Sequence, residues 1–91
     1  RLRAAPNPFR AHARIFIESA ADAGRAGARV QILDMAGRRL RTLPLTFDAT
    51  GRAEAIWDGR GATGEHLPAG MYFARYAGTH GHAGVKLLLL R

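Results

Sequence analysis

The chain has no cysteine, a single tryptophan, a single lysine and a single serine. Without cysteine no disulfide can brace the fold, and no thiolate nucleophile or zinc–thiolate site can form. Ser19, the only serine, lies in no nucleophile-elbow pattern, so a serine hydrolase is excluded as well. No run of about 18 apolar residues is present, which excludes a membrane-spanning helix. Acids are scarce too: seven carboxylates face 13 arginines and Lys86, giving a net charge of +7. The arginines are dispersed at 1, 3, 10, 14, 25, 29, 38, 39, 41, 52, 60, 75 and 91, and only Arg38-Arg39 and Arg41 cluster. No aromatic residues interleave with them as a base-stacking surface requires, so nucleic acid is not an expected partner.

What is present is the composition of one small globular domain. Hydrophobic residues make up 47% of the 91 residues, enough for one core and too few for two. Residues 1–91 are therefore read as a single domain. Its start at Arg1-Leu2-Arg3, with no initiating Met and no signal-peptide pattern, suggests a piece of a longer polypeptide.

Strand signals punctuated by turn residues run through the chain. Pro6 and Pro8 cannot donate to a ladder, so residues 4–9 are an edge or lead-in that delivers Phe9 to the core. Arg14 to Ser19 reads as a strand with Ile15 and Ile17 on one face and Phe16 on the other. Residues 20–27 are too short and glycine-rich for a stable helix and read as a loop. Residues 29–34 and 38–43 alternate around Met35-Ala36-Gly37 as a hairpin. A short piece at Leu45 and Phe47, a turn at 48–51, a strand at 52–57, a strand at 71–76, a turn at 78–84 and a strand at 85–90 complete the pattern. About seven short strands at this spacing predict an all-β antiparallel sandwich. Its expected core is Phe9, Ile15, Ile17, Val30, Ile32, Leu40, Trp57, Tyr72, Leu87 and Leu89.

Chemistry-bearing groups are sparse. Glu18, Asp22, Asp34, Asp48, Glu54, Asp58 and Glu65 are separated, and Asp34, Asp48 and Asp58 each open a glycine-containing turn where a carboxylate accepts backbone N–H groups. No carboxylate pair flanks an evident cleft, and no calcium-loop motif occurs. Of His12, His66, His80 and His82, only His80-Gly81-His82 has ligand spacing, without further ligands nearby. No catalytic residue, cofactor or metal is expected. The final strand departs from alternation: with Val85, Leu87 and Leu89 facing the core, Leu88 and Leu90 face outward, so Lys86, Leu88 and Leu90 are the candidate docking residues.

Five motifs in order carry a family resemblance: Pro6-Asn7-Pro8-Phe9, residues 30–40, Trp57-Asp58-Gly59, Pro68-Ala69-Gly70-Met71-Tyr72 and Lys86 to Leu90. Their order resembles the immunoglobulin-like domain of the flagellar hook-capping protein and related FlgD-like domains at the C-termini of secreted bacterial proteins, including type IX sorting domains. The resemblance implies an immunoglobulin-like fold and a non-catalytic module of an exported or cell-surface protein. It would act in sorting, anchoring or docking, against a neighbouring domain of the same polypeptide, the secretion machinery or copies of itself. In the sorting branch a translocon reads the domain, chiefly near its last strand. Two other roles stay open: a hook-cap scaffold, whose domain is usually interrupted by a second one for which this chain is too short, and a subunit module of an extracellular filament or sheath.

Overall fold

Two-residue periodicity decides which side chains go inward. In the strand Ala13–Glu18, Ala13, Ile15 and Ile17 are buried while Arg14 and Glu18 are exposed; in Arg52–Trp57, Ala53, Ala55 and Trp57 are buried between exposed neighbours. Such strands must cover their apolar faces with a second layer, which is why the chain folds as two packed sheets. The computed structural model describes residues 2–91 and contains seven strands. They are β1 (Leu2–Ala5), β2 (Ala13–Glu18), β3 (Ala28–Leu33), β4 (Arg39–Leu45), β5 (Arg52–Trp57), β6 (Gly70–Gly78) and β7 (Gly81–Leu89). Every pairing between these seven strands is antiparallel: one sheet has the order β1-β2-β5 and the other β4-β3-β6-β7. The sandwich closes where β1 faces β7 and β4 faces β5.

The core between the sheets is centred on Trp57, which is fully buried. Phe9 and Tyr72 flank it with ring centroids 5.4 and 5.3 Å away. Its indole Nε1 donates to the Arg60 carbonyl at 2.9 Å, so burying the ring leaves no orphan donor. Ile15, Ile17, Val30, Ile32, Leu87 and Leu89 fill the remaining space.

Several boundaries differ from the sequence expectations. β4 runs unbroken through Leu45, joining two pieces expected to be separate. Pro44 is tolerated because β4 is an edge strand, where a missing N–H leaves no ladder partner bare. Leu40 is not a central core residue. Leu33 pairs with Arg39 and Ile32 with Arg41, so Leu40 is the extra residue of a bulge and packs half-buried against the core margin. Arg41, opposite Ile32 and two residues before Leu43, stands on the inward side by plain alternation, and its Nη1 reaches Asp58 Oδ1 at 3.0 Å and the Arg60 carbonyl at 3.1 Å. The glycine-rich stretch 78–84 forms mostly ladder, with Thr79 and His80 alone between β6 and β7, since a missing side chain does not prevent backbone pairing. Leu90 lies just past β7, and residues 20–22 form one 3₁₀ turn inside the expected loop.

Asp34 and Asp48 build matching turns. In each, Oδ1 accepts the N–H groups two and four residues ahead, and the chain exits through a glycine of positive φ, Gly37 or Gly51. Gly51 is needed twice over. Its φ is +84°, and a Cβ there would sit 2.4 Å from the Ser19 carbonyl oxygen.

Candidate docking surface

The outer face of the four-stranded sheet carries side chains in cross-strand rows set by the register. Leu33, Phe73 and Lys86 stand side by side on β3, β6 and β7, and Met71 stands opposite Leu88 one row along. Cross-strand neighbours on one face lie close enough for their side chains to pack. Leu33 is 8% exposed although it is no member of the core between the sheets, so its cover comes from this outer face. Phe73, Leu88 and Leu90 are half-buried, Met71 is 39% exposed and Lys86 is exposed. Within the Asp34 turn, Met35 is 59% exposed. One end of this face is therefore apolar. The sequence pointed to Leu88, Leu90 and Lys86, but not to Leu33, Met71 and Phe73, which belong to strands whose alternation looked ordinary.

Beside this surface the free edge of β7 is covered by the chain's own beginning. The Asn7 side chain donates to the Lys86 carbonyl at 2.7 Å and accepts the Leu88 N–H at 3.0 Å. The Phe9 N–H then donates to the Leu88 carbonyl, and the Leu90 N–H donates to the Phe9 carbonyl. Flanked by two prolines, Asn7 uses its carboxamide where an ordinary strand would use a peptide group. Phe9 pairs parallel with Leu89, and its ring enters the core.

The remaining candidate groups are structural in their contacts. Of the expected core residues, Phe9, Ile15, Ile17, Val30, Ile32, Trp57, Tyr72, Leu87 and Leu89 are buried. The Tyr72 hydroxyl donates to the Pro68 carbonyl at 2.6 Å. Backbone and side-chain bonds from Arg38 hold Asp34 below the usual carboxylate range, and bonds from Thr50 and the Arg52 N–H do the same for Asp48. For Asp58, burial opposes ionisation but is outweighed by the Arg60 N–H and the Arg41 guanidinium. His80 sits in the β6–β7 turn and His82 is exposed on β7; among the described residues no three potential ligands gather around a metal-sized space.

Asp22 has contacts that its sequence position did not announce. It is 2% exposed and accepts from Ser19 Oγ, the Tyr76 hydroxyl and the Thr79 N–H and hydroxyl, with Arg25 Nη1 3.6 Å away. The Thr79 hydroxyl is the largest of the influences that hold this carboxyl far below its ordinary value. The network ties the 3₁₀ turn to the β6–β7 turn at one end of the sandwich.

The family model of the FlgD Ig-like domain matches residues 9–81. The chain belongs to that family. Most of β7, with Leu88, lies beyond the matched segment of this FlgD-like domain, as does Leu90. No curated protein sequence matches the chain. Among solved structures, the crystal structure of dimeric latent PorU from Porphyromonas gingivalis superposes with a TM-score of 0.69 at 22% identity. The match covers 98% of the FlgD-like domain and 9% of the PorU chain, and at that identity the likeness is one of fold.

Proposed function

We propose that this FlgD-like domain is a non-catalytic docking module of a longer exported or cell-surface bacterial protein, and that it packs on a neighbouring domain through the outer face of its four-stranded sheet. The observation that carries this reading is the apolar patch of Leu33 and Phe73 in one row and Met71 and Leu88 in the next, outside the core and continued by Leu90. A sandwich needs only one apolar face per sheet, and a second one favours a partner that removes it from water. The superposition on a small fraction of a much longer chain supports a domain of the same polypeptide as that partner. The side-chain contacts favour no catalytic role, since each carboxylate with a shifted pKa serves a turn or a tie between strands. Sorting by a secretion machinery, implied by the family resemblance, would use the same terminal region.

Two double variants test this. Leu88→Ser with Leu90→Ser removes side chains of the outer face, and Leu87→Ser with Leu89→Ser removes two fully buried ones. The first pair should leave the 91-residue chain folded, with its melting temperature within several degrees of wild type, while impairing export or domain packing of the longer protein. The second should unfold it. Equal unfolding by both pairs, or normal export and packing with the first, would refute the docking role.

A further inference from the structure

Arginines that are dispersed in the sequence come together at the other end of the same sheet face. Continuing the β3–β6 register one step past Val30 and Tyr76 sets Arg29 beside Ala77, and Ala77 is paired with His82. In the adjacent row Gln31 stands opposite Arg75, and Arg75 opposite Gly84. Small residues thus form the floor and long cationic ones the rim of a concavity of about 390 Å³, lined by Arg25, Arg29, Gln31, Arg75, Ala77 and His82 among others. No carboxylate lines it.

The cations are held largely by neutral acceptors, which orient a guanidinium without cancelling its charge. Arg75 Nη2 donates to Gln31 Oε1 at 3.1 Å. Arg25 Nη1 donates to the Tyr76 hydroxyl at 2.7 Å and the Ala77 carbonyl at 3.2 Å, while Asp22 Oδ1, 3.6 Å away, offsets part of its charge. The Arg29 guanidinium has no hydrogen-bonding or ion-pairing partner among the described residues. Elsewhere the exposed arginines Arg14 and Arg38 are spent on Glu54 and Asp34.

We propose that this concavity binds a phosphate or sulfate ester carried on a saccharide. Guanidinium forks match the terminal oxygens of such esters, and a tetrahedral group with three of them can engage more than one fork at once. A space of about 390 Å³ admits a sugar ring with its ester group. The lining holds no phenyl, phenol or indole ring as a stacking platform, His82 being its one aromatic side chain, and no large apolar side chain to enter a bilayer, which favours a soluble glycan over nucleic acid or lipid.

Amide chemical-shift titration of the 91-residue chain tests the proposal, with inorganic phosphate, glucose 6-phosphate and glucuronate as probes and phosphatidylglycerol and phosphatidylcholine vesicles as further arms. Glucose 6-phosphate should move residues 28–31, 74–77 and 82–84 and bind more tightly than glucuronate. Arg29→Gln with Arg75→Gln should weaken it at least tenfold. Arg3→Gln with Arg52→Gln, an equal loss of charge on the opposite sheet, should leave it within twofold. Shifts spread over all arginines, equal weakening by both pairs, binding of anionic vesicles without the sugar phosphate, or no binding at all would each overturn the assignment.

Discussion

Replacing Asn7 by Ala removes two hydrogen bonds to the last strand, at 2.7 and 3.0 Å, without touching the core. Each bond of this kind is worth about 0.5–1.5 kcal/mol net, and the exposure of Asn7 places both in the lower half of that range, so the pair contributes roughly 1–2 kcal/mol. For a domain of this size that corresponds to a melting point lower by roughly 5–10 °C. The sharper readout is local. Hydrogen exchange at the Leu88 amide should accelerate by about 5–30-fold, the factor equivalent to 1–2 kcal/mol of lost protection. Asn7→Asp separates the two bonds, because a carboxylate still accepts the Leu88 N–H but cannot donate to the Lys86 carbonyl. Leu88 should then remain protected at neutral pH although the melting point falls. If Asn7→Ala left the Leu88 amide as protected as in wild type, the carboxamide would not be the edge cover described above.

Trp57→Ala should destabilise by about 3–5 kcal/mol, a large share of the 5–15 kcal/mol that holds a small domain together, as read by chemical denaturation. Gly37→Ala should cost about 1–2 kcal/mol for its left-handed backbone. Gly51→Ala should cost clearly more, because a Cβ there also meets the Ser19 carbonyl; equal losses would remove the close-approach argument. Asp22, Asp34 and Asp48 have folded-state pKa values below their unfolded ones, so the stability they provide is complete above about pH 5 and is lost as the pH falls through and below 4. Asp22→Asn should flatten that acid limb in melts from pH 7 to 2, and an unchanged limb would show that the Asp22 network does not drive it.

Period-two patterning was enough to place β2 and β3, and turn chemistry to place the Asp34 turn, because each rests on neighbours a few residues apart; Trp57 was legible as core because it is the one indole of a small sandwich. Leu40 was misjudged because a bulge is one unpaired residue in a ladder, and alternation within a single strand holds no trace of the partner that creates it. The 78–84 stretch was misjudged because glycine marks turns through its backbone freedom but joins a ladder equally well when both flanking strands are pinned by buried side chains. The share of Leu33, Met71 and Phe73 in the outer apolar patch, and the arginine concavity, were illegible for the same reason. Leu33, Phe73 and Lys86, like Arg29, Arg75 and His82, meet only through pairings between β3, β6 and β7. The Asp22 network spans residues 19 to 79, and its members are ordinary turn residues until the fold joins them.

The parallel seam between residues 7–9 and 86–90 also has a mechanical meaning. A tension that pulls the two ends of the chain apart drives these segments past one another along their own length. The four hydrogen bonds between them, two from the Asn7 side chain and two from the Phe9 backbone, lie across that direction and carry the load together. A seam loaded in shear must break as a unit, whereas a hairpin pulled from its open end unzips one bond at a time. Drawing Phe9 out would also drag its ring from beside Trp57, so the core resists the same displacement. The short proline-flanked segment thus makes the domain a stiff link within whatever chain runs through it.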